Sequence, residues 1–224
     1  MESNLIVMLT HDDKTVQDAL EVFEACKDLP VNFWGFKDVG LPQPEMRKLI
    51  KAIKDAGKTT FLEIVTYTEE ECRRGAEFAV DFGFDYLMGT LFFPGVWDYL
   101  KGKDIKYFPF VGEVSGSPSI LEGTADSMVK ESEFFKSEGV HGVDLLGFRY
   151  PNDPESLSRE FIQRSAVPVV LAGSIGSHKR IEFVNDVNPW SFTMGSALFN
   201  KNFLPNGTFR ENLENVIEKM DSIK

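Results

Sequence analysis

Two short segments in the last quarter of the chain carry the densest chemistry. Ala172-Gly173-Ser174-Ile175-Gly176-Ser177 and Met194-Gly195-Ser196-Ala197-Leu198-Phe199 each set glycine beside serine where a helix can begin. Glycine lets the backbone approach a bound group, serine adds a hydroxyl donor, and the free N–H groups of a helix start attract phosphate oxygens. Gly173, Ser174, Gly176, Gly195 and Ser196 are therefore candidates for holding a phosphate. The plainer alternative is a pair of tight turns, with Ser177 capping the next helix.

Lys37 and Glu63 form the second constellation, two charges inside otherwise apolar runs, NFWGFK and TTFLEIV. Neighbouring strands lie about 4.8 Å apart, so inward-facing charges at matching positions reach each other, and an unpaired buried charge is costly. Such a lysine can form a Schiff base or polarise a carbonyl, and the carboxylate can move a proton from the adjacent carbon. The alternative is a purely structural ion pair.

Further polar residues cluster at run ends. Thr10-His11-Asp12-Asp13-Lys14 offers His11 as an acid or base and Asp12 as an assisting carboxylate, with one of the two aspartates expected to cap the first helix. Asp38 is a candidate base, metal ligand or turn former. Asp144 lies within a run and can face either the site or the helix layer. Arg149 offers a planar fork for an anion, and Thr90 can complete a pocket. His141 and His178 rank lower, with only the second near the glycine-serine segments.

These residues need a frame that brings them together. Eight short apolar runs, at residues 5–10, 32–37, 59–65, 84–89, 106–112, 142–147, 167–172 and 190–195, alternate with segments of helical period. Nearly continuous apolar runs suit strands covered on both faces, as in a parallel sheet wrapped by helices. Helices are expected at 14–27, 44–56, 69–82, 120–138, 154–165, 178–187 and 208–222, with a short one of about two turns over 94–101. Thr68 with Glu71, Asp153 before Pro154, and Pro44 supply start signals. Gly112 to Gly123 reads as a long connecting loop of the functional kind, with Glu113, Ser115, Ser117 and Ser119 available to a pocket or lid. Even run lengths, and no G-x-G-x-x-G after the first run, favour an α/β fold of the closed (β/α)8 TIM-barrel type over an open doubly wound sheet. A single domain spanning 1–224 is expected. In such a barrel the site lies at the C-terminal ends of the strands, where the residues above fall.

AGSIGS and MGSALF resemble the phosphate-binding (ribulose-phosphate-binding) barrel superfamily, which includes pentose-phosphate epimerases, hexulose-phosphate synthases and barrel enzymes of histidine and tryptophan biosynthesis. The resemblance covers the last quarter of the barrel. Ser174 stands where many of these enzymes carry a second glycine, and the D-x-K-x-x-D pattern of the decarboxylase and hexulose-phosphate synthase group is absent. The resemblance implies a phosphorylated substrate and no particular subfamily.

Composition narrows the partners. A net charge of −11 repels nucleic acid, and no basic stripe with interleaved aromatics occurs. The surface field also repels small anions, so a phosphate needs local donors. No apolar run is long enough to span a membrane, and the chain opens without a basic-then-apolar leader, so a cytoplasmic address is expected. Cys26 and Cys72 fit no metal or redox spacing and are expected to be buried thiols. No resident cofactor and no zinc motif is expected.

The sequence thus points to an enzyme acting on a small phosphorylated carbonyl compound by proton abstraction beside the carbonyl, either an isomerase or epimerase, or an aldolase-type lyase. Two other readings stand beside it: a non-catalytic metabolite sensor, and a lyase in which Asp38, Glu63 and Asp144 hold magnesium. Self-association into a homo-oligomer is compatible with any of them.

Overall fold

A computed structural model describes residues 3–223. The continuous apolar runs become eight parallel strands: β1 (Asn4–Met8), β2 (Phe33–Lys37), β3 (Thr59–Ile64), β4 (Tyr86–Gly89), β5 (Lys106–Phe108), β6 (Val143–Leu145), β7 (Val169–Leu171) and β8 (Ser191–Met194). They pair in the order β6-β7-β8-β1-β2-β3-β4-β5. The ring is closed by a parallel bridge between Phe110 and Asp144, where the Asp144 N–H donates to the Pro109 carbonyl at 2.8 Å. This is a (β/α)8 TIM barrel.

Alternation along each strand sorts the side chains. Trp34, Phe36, Leu62, Ile64 and Phe192 point outward and are buried against the helices. Ile6, Met8, Phe61, Met88, Phe108 and Val170 fill the barrel interior, with Phe33, Tyr86 and Trp190 packed against them. The same alternation carries Lys37, two residues beyond Gly35, and Glu63, two beyond Phe61, onto the inner face above this plug.

The helices among the described residues are α1 (Ala19–Cys26), α2 (Gln43–Asp55), α3 (Glu69–Phe82), α4 (Pro94–Leu100), α5 (Ala125–Glu138), α6 (Pro154–Arg164), α7 (His178–Val187), α8 (Ser196–Phe199) and α9 (Phe209–Ser222). The expected start signals operate: Thr68 accepts from the Glu71 N–H at 3.3 Å, Asp153 from the Ser156 N–H at 3.0 Å, and Pro44 sits in the first turn of α2. Ser177 caps α7, as the plainer reading of that serine required. Cys26 and Cys72 are buried free thiols, and burial pushes Cys26 up to about 11.

Two expectations are corrected. The first helix does not begin near residue 14. Thr10–His11 and Lys14–Thr15 form a hairpin whose turn residues, Asp12 and Asp13, both adopt left-handed backbone with φ of 48° and 58°. Aspartate tolerates that region better than most residues, so neither aspartate caps a helix, and α1 starts after Asp18. The fifth helix likewise starts at 125 rather than 120. Residues Ile120–Glu122 pair antiparallel with Glu113–Ser115, turning the expected loop into a second hairpin beside the barrel mouth.

Candidate active site

A cavity of about 160 Å³ opens at the C-terminal end of the barrel. Lys37 and Glu63 lie at directly paired positions of β2 and β3 and line it. The Lys37 ammonium stands 3.0 Å from an Asp13 carboxylate oxygen and 3.7 Å from Glu63. Its side chain is 9% exposed, that of Glu63 16% and that of Asp13 64%. Burial works against the Lys37 charge, but Glu63 and the hydrogen-bonded Asp13 outweigh it and hold the lysine above its ordinary range. Burial also acts on Asp13, where the Lys37 ammonium prevails and keeps the carboxyl below its usual value.

Asp13 reaches this position because the Thr10–Thr15 hairpin is fastened to the end of β2. The Thr15 hydroxyl donates to the Lys37 carbonyl at 2.7 Å, and the Lys37 N–H donates back to that hydroxyl at 2.9 Å. The Thr15 N–H donates to the Val39 carbonyl at 2.9 Å. The element that carries Asp13 is thus tied to the backbone of Lys37 itself.

The opposite wall is made by the glycine-serine segments. Gly173, Ser174, Gly195, Ser196 and Arg149 all line the cavity. Gly173 has φ of +94°, and a Cβ there would come within 3.1 Å of the Arg149 side chain. A Cβ on Gly195 would meet the Thr10 hydroxyl at 2.9 Å and the Met8 carbonyl at 3.0 Å. α8 begins at Ser196, so its first N–H groups lie beside the cavity wall. The Arg149 guanidinium makes no hydrogen bond or ion pair among the described residues, and it sits close enough to Asp13 to favour that carboxylate.

Other sequence candidates fall elsewhere. Gly176 lines an adjoining recess with Ser177, Arg180, Asn200 and Asn202, which shares Ser174, Ser196 and Ala197 with the main cavity. His11 is within 2.8 Å of the Asn200 side-chain oxygen and packs on Phe199. Asp12 projects into solvent, its side chain 87% exposed. Asp38 faces a groove outside the barrel with Gln43, Thr66, Glu71 and Arg74, and burial raises its carboxyl. Thr90 is buried, its hydroxyl 2.8 Å from that of Tyr107. Asp144 is completely buried and lies outside the cavity lining. His141 accepts from the Tyr107 N–H, and His178 is 2.9 Å from Asn215.

Sequence reasoning set both Asp12 and Asp13 at the barrel mouth but chose Asp12 as the assisting carboxylate, whereas Asp13 is the one that lines the cavity. It missed Thr10 and Thr193, for which alternation offered a signal, since each falls on the inner-face period of its run. It also missed Tyr67, whose hydroxyl donates to the Gly116 carbonyl at 2.8 Å and lies 2.7 Å from the Ser119 hydroxyl, fastening the second hairpin over the mouth. Among the described residues no group of three or more His, Cys, Asp or Glu is placed to hold a metal ion, and no helix is long and apolar enough to cross a membrane. The outward placement of Asp38 separates it from Glu63 and Asp144, so the trio imagined around magnesium does not converge.

No protein-family model matches the chain, and no curated protein matches it. Solved structures do. An orotidine 5'-phosphate decarboxylase from Pyrococcus horikoshii OT3 is similar with a TM-score of 0.70 at 13% identity, covering 97% of this chain and 99% of that one. A tryptophan synthase alpha-subunit mutant from Pyrococcus furiosus gives 0.67 at 14% identity, covering 97% and 100%. The N-acetylmannosamine-6-phosphate 2-epimerase from Clostridium perfringens gives 0.63 at 13% identity, covering 90% and 92%. What these similar structures share with this chain is the (β/α)8-barrel fold, at identities of 13–14%.

Proposed function

We propose that the protein is an enzyme that moves a proton on a carbon adjacent to the carbonyl of a small phosphorylated compound, as an isomerase or epimerase. The observation that carries this reading is the Lys37–Glu63 pair on one wall of a cavity whose other wall is the Gly173-Ser174 and Gly195-Ser196 backbone. Two of the similar structures are of enzymes named for phosphorylated compounds, which supports the phosphate half of the reading.

The charge state of Lys37 favours one route over another. A protonated amine has no lone pair with which to attack a carbonyl, so a lysine held above its ordinary range suits electrostatic stabilisation better than a Schiff base. In the resulting scheme the phosphate rests against the N–H groups near Ser174 and Ser196, with Arg149 beside it. Glu63 takes the proton from the carbon next to the carbonyl. The C–H electron pair becomes the C=C bond of an enolate, and the negative charge on its oxygen is met by the Lys37 ammonium. The proton of the hydroxyl on the neighbouring carbon passes to the enolate oxygen, that hydroxyl's oxygen becomes the new carbonyl, and Glu63 returns its proton to the former carbonyl carbon, so the isomerisation completes without a net change in protons. A cavity of about 160 Å³ is below the range of roughly 300–1,000 Å³ found for drug-sized ligands, which favours a substrate of few carbons.

The test is a thermal-shift panel of small sugar phosphates and phosphorylated keto acids, followed by proton NMR of each stabilising compound in deuterated water. The expected result is loss of the signal of the hydrogen beside the carbonyl with the natural protein and not with Lys37→Met. Stabilisation with no exchange on any compound would replace the enzyme reading with that of a metabolite sensor. No stabilisation by any phosphorylated compound would remove the phosphate assignment.

A further inference from the structure

Asp144 is a buried titratable group that the scheme above leaves idle. Its side chain is fully inaccessible, and neither carboxyl oxygen has a hydrogen-bond partner. A carboxylate sealed from the surface and without a protein donor is unstable as an ion and is expected to be paired or neutral. Beside β6, β7 presents Val170 at the position paired with Asp144, and the bridge to the chain beyond β5 presents Phe110. The charged groups that act on it are Lys37 from β2 and Glu63 from β3. Lys37 makes its ion pairs with Asp13 at the mouth and with Glu63, and none with Asp144.

We propose that Asp144 is a positioning residue carried as a neutral carboxylic acid, and that its neutrality leaves Lys37 extended toward the cavity mouth instead of folded down into the barrel. Attraction between charges is weakly screened in a water-poor interior. Ionised, Asp144 would therefore compete for Lys37 more strongly than Asp13, a carboxylate with 64% of its side chain in solvent. Drawn downward, the ammonium would leave the wall where the ligand's oxygen binds. Burial first, and then the neighbouring Glu63 charge, push the Asp144 carboxyl well above its ordinary range, with Lys37 opposing them. Ligand affinity should consequently decline as Asp144 ionises. The proposal rests on the reading of Lys37 as a ligand-facing ammonium; the protonation of Asp144 is separable from it.

Three measurements on the full chain test this. Infrared difference spectra between the natural protein and Asp144→Asn should contain, at neutral pH, the carbonyl band of a protonated carboxylic acid. Sulfate, which does not titrate in this range, is the calorimetric probe: its affinity should fall about tenfold as that band disappears with rising pH, the loss of one charge-assisted contact. In Asp144→Asn the affinity should stay level over the same range. Acylation of the Lys37 amine, read by mass spectrometry, should lose accessibility at the same pH in the natural protein alone. An ionised carboxylate at neutral pH would overturn the proposal. A protonated Asp144 with identical sulfate and acylation profiles in protein and variant would overturn the positioning role. Absence of sulfate binding would count against the anion site of the functional reading, while the acylation profile would still decide the role of Asp144. Asp144→Leu, which also cannot ionise, replaces the asparagine variant if the latter does not fold.

Discussion

Replacing Lys37 by methionine keeps much of the side-chain length and deletes the charge, so its effect isolates what the ammonium contributes. Removing one partner of a buried ion pair costs about 3–5 kcal/mol when the other is left buried and unpaired. Here the penalty is reduced on both sides. Asp13, with a side chain 64% exposed, returns to water, and Glu63, 16% exposed, faces an open cavity that admits solvent. We expect a loss of about 1–3 kcal/mol at neutral pH, or about 2–4 °C of melting temperature for each kcal/mol in a chain of this size. The pH dependence has a definite sign. Lys37 is raised above 10.5, so its stabilisation is complete below that value and is lost as pH rises through the folded pKa. Asp13 is lowered below 3.8, so its share is present above that value and is lost as pH falls through its folded pKa. Urea denaturation of both proteins across this range should show the widest gap at intermediate pH and a narrowing gap at each end. A variant as stable as the natural protein at neutral pH would mean that desolvating Lys37 cancels its pairing, and would refute the account of a mutually stabilising cluster.

Asp144→Asn should respond in the opposite sense. Because the folded carboxyl is raised above 3.8, the natural protein loses stability as pH climbs from there to the folded pKa, by about 1.4 kcal/mol per unit. The variant should gain on it by that slope in denaturation experiments, and parallel curves would refute the assignment. Gly195→Val should abolish stabilisation by phosphorylated compounds while leaving the far-ultraviolet circular dichroism intact, since its side chain must enter space held by Thr10 and the Met8 carbonyl. Retained stabilisation would move the anion elsewhere. Asp38→Asn should leave both anion binding and isotope exchange unchanged, and a large loss would bring Asp38 back into the site despite its outward groove.

What could be read in advance follows from the range of the interactions involved. The strands were legible because burial on both faces demands runs such as LIVML and PVVLA, and the Lys37–Glu63 contact because parallel pairing with a period of two places matching charges side by side. The Gly173-Ser174 and Gly195-Ser196 segments were legible as cavity wall because they follow β7 and β8, whose C-terminal ends face the mouth. Asp13 was not, since an Asp-Asp pair ahead of a helical segment has the chemistry of a cap, and only hydrogen bonds from Thr15 to residues more than twenty positions away turn it into a hairpin tip. Asp144 was ambiguous because β6 spans three residues, too few for alternation to declare an inner face. The hairpin at 113–122 was hidden for a similar reason: its two strands have three residues each and interrupt what reads as one loop and one helix.

The closure of the barrel between β5 and β6 has a mechanical consequence. Elsewhere around the ring neighbouring strands share at least two paired positions, whereas this junction is held by the single bridge at Phe110 and Asp144. Among the described residues the cylinder therefore has a seam, and proteins open locally where the fewest cooperative hydrogen bonds must break. The Asp144 and Val111 amides, which donate across that seam, are where hydrogen exchange should outrun the rest of the barrel wall. The same opening would admit water to the buried Asp144 carboxyl, which has no hydrogen-bond partner, coupling the breathing of the wall to the protonation of that group.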